Sequence, residues 1–180
     1  MRNLVKFSGV CSLVLVLSSC GGNNIDWQKY TSDQGSFMIQ MPTPVVKTEK
    51  KDIFWKGTTH FISWRPSTFA IYKIKLFQVS YTDCPPGVST DSTLLNLMLD
   101  SAIMVRKKDF TDADDLPSQP IELNGYPGRA FFFDGGGNTQ VSVKECIANN
   151  KLYDLVVITK KNYSTNNEIN TFFNSFQPLR

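Results

Sequence analysis

Apolar and polar residues alternate along much of the chain, a pattern that is typical of β-strands with one buried face. Between Gly35 and Pro42, for example, Phe37, Ile39 and Met41 occupy every second position. Turn-forming residues separate the alternating runs. Strands are therefore predicted at 26–31, 35–41, 45–55, 58–64, 69–81, 120–124, 129–134, 139–148 and 151–160. The connecting turns are predicted at 32–35, 125–128, 135–138 and 149–150.

Two segments have helical periodicity instead. The first covers 92–108, and its N-cap is Thr90, Asp91 or Ser92. Its predicted apolar stripe consists of Leu94, Leu97, Met98, Ala102 and Val105. The basic run 106–108 closes the last turn, where cations suit the negative end of the helix dipole. This run is therefore interpreted as a capping feature before a binding patch.

The second helical segment follows the capping box Thr165–Glu168, which satisfies free amide groups of the first turn. Its apolar face is spaced i, i+3, i+4, i+7 and consists of Ile169, Phe172, Phe173 and Phe176. Pro178 ends the helix. Two amphipathic helices and six or more strands predict an α+β domain.

The N-terminus carries a basic head, a short apolar run and small residues before Cys20. The apolar run 7–17 is shorter than the about 20 residues that a membrane-spanning helix needs. These features predict a secretory signal peptide at 1–19. The motif Leu17-Ser18-Ser19-Cys20 resembles the lipobox of bacterial lipoproteins, whose cysteine receives a diacylglyceryl group before the preceding bond is cut. Cys20 is therefore the predicted lipidation site.

Cleavage after residue 19 would leave a lipidated tether at 20–25 and a single domain at 26–180. Acyl chains would hold the protein at the membrane, since each buried methylene contributes about 0.8 kcal/mol. The formal net charge falls from +3 to +1, because Arg2 and Lys6 leave with the signal peptide. A near-neutral domain without a basic and aromatic cluster is not expected to bind nucleic acid.

Four cysteines occur in the chain. Cys11 leaves with the signal peptide and Cys20 is lipidated, so Cys84 and Cys146 remain. Exported compartments permit disulfides, which makes these two a candidate disulfide pair. The alternative is two buried, unrelated thiols.

Motifs that would carry chemistry are few. His60 is the only histidine, which excludes multi-histidine metal sites, and it is interpreted as structural. The glycine run 135–137 lies between strands and so indicates a hairpin turn, not a phosphate loop. The acidic group of Asp109, Asp112, Asp114 and Asp115 lacks the glycine and terminal glutamate of a calcium loop. No metal and no cofactor is predicted.

A hydrolase would need a general base, and His60 is the only histidine available. The sequence contains no G-x-S-x-G motif. A Cys84–His60 pair and a pair of converging carboxylates stay open as alternatives. No catalytic residue is predicted, and the chain is expected not to be an enzyme.

Several stretches resemble bacterial members of the PsbP-like superfamily. These stretches are Gly35–Pro42, Leu123–Phe131, Asn150–Val157 and Phe172–Phe176. The resemblance extends from about 30 to 177 and rests on turns and core aromatic residues. It implies a mainly antiparallel central sheet flanked by helices on both faces, an α/β/α sandwich. An NTF2-like or lipocalin-like domain is the alternative fold.

The resemblance also carries expectations about function. Members in photosynthetic organisms attach to the lumenal side of photosystem II, and many bacterial relatives are lipoproteins without an assigned role. It implies no catalytic residues. The chain lacks the histidine cluster proposed for some photosystem members, which argues against a photosystem role.

The expected function is a non-catalytic binding or scaffolding domain. Lipid on Cys20 would hold it to the cell membrane or the outer membrane, facing the periplasm, where its partner is an unknown envelope protein. A carrier of a small apolar ligand, a photosynthesis-associated accessory protein and a hydrolase are the alternatives.

Overall fold

The structure, a computed structural model, describes residues 25–51, 57–67, 73–108, 117–163 and 166–179, with only the backbone at 107 and 108. The helices and strands of these ranges are, in chain order, β1 Trp27–Ser32, β2 Phe37–Pro42, β3 Val46–Lys51, β4 Thr58–Trp64, β5 Ile74–Asp83, α1 Ser92–Lys108, β6 Gln119–Leu123, β7 Tyr126–Gly136, β8 Thr139–Ala148, β9 Lys151–Lys160, α2 Asn167–Ser175 and β10 Gln177–Pro178.

The strands form two antiparallel sheets. The large sheet has the order β3-β4-β5-β9-β8-β7-β6, and the small sheet has the order β1-β2-β10. The predicted α+β class with mainly antiparallel strands is confirmed. The prediction of one central sheet missed the small sheet, in which β10 pairs with β2 through Gln177 and Pro178.

The main hydrophobic core lies between the small sheet, α2 and one face of the large sheet. Phe37 of β2, Phe77 of β5 and Phe172 of α2 are completely buried in it. The ring centroids of Phe77 and Phe172 lie 4.9 Å apart. Burying each such ring contributes about 1.5–3 kcal/mol, which is why the alternating apolar residues of β2 face inward.

Helix α1 packs in two other clusters. Met98, Leu99 and Ala102 belong to one of them and Ile103 to the other. The side chains of β9 alternate between the two groups: Tyr153, Leu155 and Val157 lie in the main core, whereas Leu152 and Val156 lie in the clusters that contain α1 residues.

The predicted apolar stripe of α1 is wrong at two positions. Leu94 is 41% exposed and Leu97 is 61% exposed, whereas Leu99 and Ile103 are buried. Both sets of residues recur at helical spacing, so the sequence pattern cannot choose between them. The N-cap is Asp91, one of the three predicted candidates, because its Oδ1 accepts hydrogen bonds from the amides of residues 93 and 94 at 2.8 and 3.2 Å.

The hairpin turns require residues with positive φ. At the β6–β7 turn Asn124 and Gly125 have φ of 52° and 85°. Two consecutive positive φ values match the twist of a two-residue hairpin. The predicted turn at 125–128 was therefore too long, because β7 begins at Tyr126 and pairs Gly128 with Ile121 of β6.

Helix α2 begins one residue later than the capping box predicted. Its N-cap is Asn166, whose side chain accepts a hydrogen bond from the Ile169 amide at 2.8 Å. Thr165 lies outside the described residues. Phe176 follows the helix at the C-cap, yet it is completely buried as predicted.

Candidate functional site

The predicted site residues are spread over the chain. Cys20 and the acidic group at 109–115 lie outside the described residues, so their predicted roles stay predictions. The glycine run 135–137 lies at the hairpin between β7 and β8, as predicted.

Cys84 and Cys146 are both buried and both free thiols. Cys84 packs in a cluster that contains α1 residues, whereas Cys146 packs in the main core. Burial raises the pKa of each thiol to about 12, so both stay protonated and unreactive near neutral pH. Because the two thiols lie in separate clusters and are free, the structure does not show the predicted Cys84–Cys146 disulfide.

His60 lines a cleft of about 630 Å³ between the two sheets. The walls come from the end of β1 and the turn after it, from the middle of β3 and from β4 and β5. The side chains that matter for its chemistry are those of Tyr30, Gln34, Lys47, Glu49, His60 and Tyr81.

The imidazole of His60 contacts Glu49 and Tyr81. Its Nδ1 lies 3.0 Å from Oε1 of Glu49, which is the directly opposite residue on β3. The ring stacks on Tyr81 with centroids 4.7 Å apart. The His60 side chain is only 18% exposed, whereas Glu49 is 65% exposed. The sheet register therefore fixes the orientation of the ring while the carboxylate stays accessible from the cleft.

The second ring nitrogen, Nε2, faces the side-chain amide of Gln34 at 3.5 Å. In a carboxylate–imidazole–nucleophile arrangement a serine or cysteine would occupy this place. Ser32 is close in sequence, but its hydroxyl accepts a hydrogen bond from the Gly35 amide at 3.0 Å. The Ser32 hydroxyl thus supports the turn after β1, and Nε2 of His60 faces an amide group.

The aromatic side chains give the cleft an apolar floor and wall. Burial is the largest cause that raises the pKa of Tyr81, so its phenol stays a hydrogen-bond donor. The ammonium group of Lys47 lies 5.4 Å from the centroid of the Tyr30 ring, across the mouth of the cleft. Such a cation over a ring contributes about 0.5–1 kcal/mol at an exposed site.

The cleft offers the imidazole of His60 and the carboxylates of Asp33 and Glu49 as conventional metal ligands. Among the described residues no group of three or more histidine, cysteine, aspartate or glutamate side chains could hold a metal ion. No helix in the described part of the chain has the length and apolar composition to cross a membrane.

A second group of polar residues lies beneath α1. Arg129, Glu145, Asp154 and Ser80 stand directly opposite one another across β7, β8, β9 and β5. Arg106 of α1 forms an ion pair with Asp154, and both side chains are 16% exposed. The basic run at 106–108 thus includes a residue that ties the helix to the sheet, which its prediction as a capping feature did not anticipate.

Glu145 is the most buried member of this row, at 1% exposure, and its Oε1 has no hydrogen-bond partner. Burial, followed by the neighbouring Asp154 carboxylate, raises the pKa of Glu145 to about 10. Two carboxyl groups do converge here, as one hydrolase alternative required. They lie beneath α1 and outside the cleft, and Asp154 is paired with Arg106.

Glu49, Gln34 and Tyr81 were not predicted as companions of His60. The only sequence signal for Glu49 was the pair of strand patterns at 45–55 and 58–64. The register of these two strands in the structure places Glu49 opposite His60. The turn that carries Gln34 meets them only through the packing of the two sheets. The other pair that stayed open, His60 and Cys84, is not brought together. His60 stacks on Tyr81, whereas Cys84 packs with α1 residues.

No protein-family model and no curated protein sequence matches the chain. Solved structures align with the chain, among them the two that follow. The solution structure of cyanobacterial PsbP (CyanoP) from Synechocystis sp. aligns over 90% of this chain and 98% of its own, with 13% identity and a TM-score of 0.54. A crystal structure from Bacteroides thetaiotaomicron aligns over 84% of this chain and 48% of its own, with 10% identity and a TM-score of 0.48. The likeness to the cyanobacterial PsbP structure shows that the chain has a PsbP-like fold.

Proposed function

We propose that this chain is a lipid-anchored, non-catalytic binding domain of the cell envelope, and that it binds its partner through the His60 cleft. The lipid on Cys20 would place the domain at the extracytoplasmic surface of the cell membrane or the outer membrane. Anchoring would raise the effective concentration of the domain near envelope proteins, so a modest interface suffices.

The observation that carries the proposal is the pairing of His60 in the cleft. Its Nδ1 is engaged by Glu49 and its Nε2 faces Gln34, so neither ring nitrogen is paired with a serine or cysteine of the described residues. The cleft combines aromatic rings with fixed polar groups, which can bind a polar partner by hydrogen bonds and apolar contact. This arrangement favours recognition over catalysis.

The arrangement of the helices supports the finer fold assignment. Alternate residues of β9 pack with α2 and with α1, and successive side chains of a strand point to opposite faces. We infer that α1 and α2 flank the large sheet on opposite faces, as the PsbP-like resemblance implies.

The alternative carrier function has less support. It requires an apolar cavity, whereas the main core is filled by rings such as Phe37, Phe172 and Phe176, all completely buried. A photosynthesis-associated role rests on likeness in fold alone.

The test uses the full chain expressed in a bacterium that processes lipoproteins. A photo-reactive amino acid replaces Gln34 in the cleft or, as a matched control, the exposed Gln119 on the far edge strand β6. We expect a mature protein that lacks residues 1–19, carries acyl chains and sediments with membranes, and a crosslinked product from position 34 only. The Cys20→Ala chain should lose the acyl mass and the sedimentation. A chain that keeps its N-terminus would refute the anchor, and equal crosslinking from both positions would refute the cleft.

A further inference from the structure

The His60 cleft lies where the edge strands of both sheets meet. In the described part of the chain β1 is the outer strand of the small sheet and β3 is the outer strand of the large sheet. The chain passes from β2 to β3 through the corner 43–45, where the Thr43 amide donates to the Asp26 carbonyl at 3.1 Å. From this corner β1 and β3 run along opposite walls of the cleft.

The cleft exposes backbone as well as side chains. Three consecutive residues of β1 and three of β3 line it, 30–32 and 47–49. Since successive side chains of a strand point to opposite faces, the middle residue of each trio faces the cleft chiefly with its backbone. Every residue of β3 is exposed. Free amide and carbonyl groups of an edge strand are a template for pairing with another strand.

The charged residues of β3 indicate which kind of strand its free edge would bind. Three of the six residues of β3 are lysines, at positions 47, 50 and 51. Its one acidic residue, Glu49, already pairs with His60. The edge therefore favours an acidic strand. A second copy of β3, paired antiparallel about its centre, would place Lys47 opposite Lys50, and like charges directly opposite are destabilising.

We propose that the cleft binds an extended, acidic segment of a partner polypeptide, which adds to the free edge of β3 as a further strand. This inference rests on the proposed binding function and names the chemistry of its partner. Six residues of β3 offer about 20 Å of edge. Backbone hydrogen bonds would supply affinity, and the acidic side chains of the added strand would meet Lys47, Lys50 and Lys51 along the edge of β3.

The test uses two displayed libraries of peptides of about twelve residues, long enough to cover β3. One library carries Asp or Glu at alternate positions and the other carries Lys there. Selection is on the lipidated mature protein in detergent. We expect enrichment from the acidic library only. A selected peptide should slow amide hydrogen exchange in 46–51 and leave 119–123, the opposite edge, unchanged.

The matched variants are Lys47→Trp, which fills the cleft beside Tyr30, and Gln119→Trp on β6. We expect Lys47→Trp to weaken peptide binding at least about tenfold and Gln119→Trp to leave it within about twofold. No enrichment, equal enrichment from the lysine library, or exchange protection away from 46–51 would overturn the inference. A concentration-dependent dimer that protects 46–51 would do the same, because it assigns the edge to a second copy.

The outcome also separates this inference from the proposed function. If position 34 crosslinks to an envelope protein while the peptides leave 46–51 unprotected, the cleft binds a partner by another mode. If position 34 gives no specific crosslink either, both proposals fail.

Discussion

Glu145 and Asp154 lie directly opposite each other on β8 and β9, beneath helix α1. Asp154 is bound by Arg106 of the helix and accepts a hydrogen bond from the Ser80 hydroxyl at 3.3 Å. Glu145 is more deeply buried and has no cation in direct contact among the ion pairs of the described residues. Asp154 is thus paired with a cation, whereas burial raises the pKa of Glu145.

This pair predicts a pH-dependent stability. The pKa of Glu145 is raised from its ordinary value of 4.5 to about 10, so between these values the folded state binds a proton that the unfolded state has released. The free energy of unfolding should therefore fall as pH rises through this window, by up to about 1.4 kcal/mol per pH unit. Glu145→Gln should remove the fall, and exposed Glu122→Gln should keep it. Urea unfolding from pH 5 to pH 9 measures this, and parallel curves for wild type and Glu145→Gln would refute it.

The ion pair between Arg106 and Asp154 predicts a large loss of stability on truncation. Asp154→Ala removes the anion that faces a guanidinium only 16% exposed, and breaking such a buried pair costs about 3–5 kcal/mol. Asp134→Ala is the matched control, because the contacts of Asp134 with Lys161 and the Gly136 amide lie at the surface and their loss should cost much less. Thermal and urea unfolding measure both variants. A similar result for the two would contradict the buried role of Asp154.

Replacing Gly128 by any residue with a side chain should destabilise the domain. A Cβ atom at this position would collide with the backbone carbonyl of Glu145 on the neighbouring strand. Gly128→Ala should therefore destabilise the domain by about 1–3 kcal/mol. At Gly135 of the same strand a Cβ would meet the side chains of Thr139 and Val141, which can move, so Gly135→Ala should cost less. The denaturant midpoint of each variant measures the loss of stability. A larger loss for Gly135→Ala than for Gly128→Ala would contradict the prediction.

Helix α1 offers a direct test of which face is buried. Met98 is 3% exposed and its neighbour Leu97 is 61% exposed. Met98→Ala should cost about 2–5 kcal/mol. Leu97→Ala should change the free energy of unfolding by no more than about 0.5 kcal/mol. If Leu97→Ala proved the more damaging, the helix would face the sheet with the stripe that its sequence pattern predicted.

The two buried thiols predict protection from alkylation. With both pKa values raised to about 12 by burial, Cys84 and Cys146 should react with iodoacetamide only when the protein unfolds. Peptide mass spectrometry after alkylation in denaturant without reductant should find both residues modified. A linked Cys84–Cys146 peptide in that sample would establish the disulfide that the sequence favoured.

Local patterns predicted most of the individual elements. The strands from 120 to 160 and helix α1 were predicted within a few residues, because alternation, turn residues and helical spacing are properties of short stretches. The errors occurred where a neighbouring element decides. The β6–β7 turn is shorter than predicted because pairing with β6 continues past Gly128 to Ala130.

The candidate site was less predictable than the fold. His60 and Glu49 each belong to a predicted strand, but only the register of β3 with β4 places them opposite each other. Gln34 and Tyr81 approach them from a turn and from a third strand, so no local signal connects the four. The burial of Glu145 could not be predicted from the sequence pattern either, because it depends on the packing of α1 over β8.

The sequence by itself determined the elements that depend on nearest neighbours. The positions of the turns with asparagine and glycine, the helix starts to within a residue or two, the alternating core residues and the N-terminal motif ending at Cys20 all depend on a few neighbouring residues of the chain. Tertiary structure alone decided which face of α1 is buried, that Cys84 and Cys146 lie in separate clusters, and that the edges of β1 and β3 frame a cleft around His60. These features depend on contacts between residues far apart in sequence, where the burial of surface and the pairing of charges select one arrangement among several that the local pattern permits.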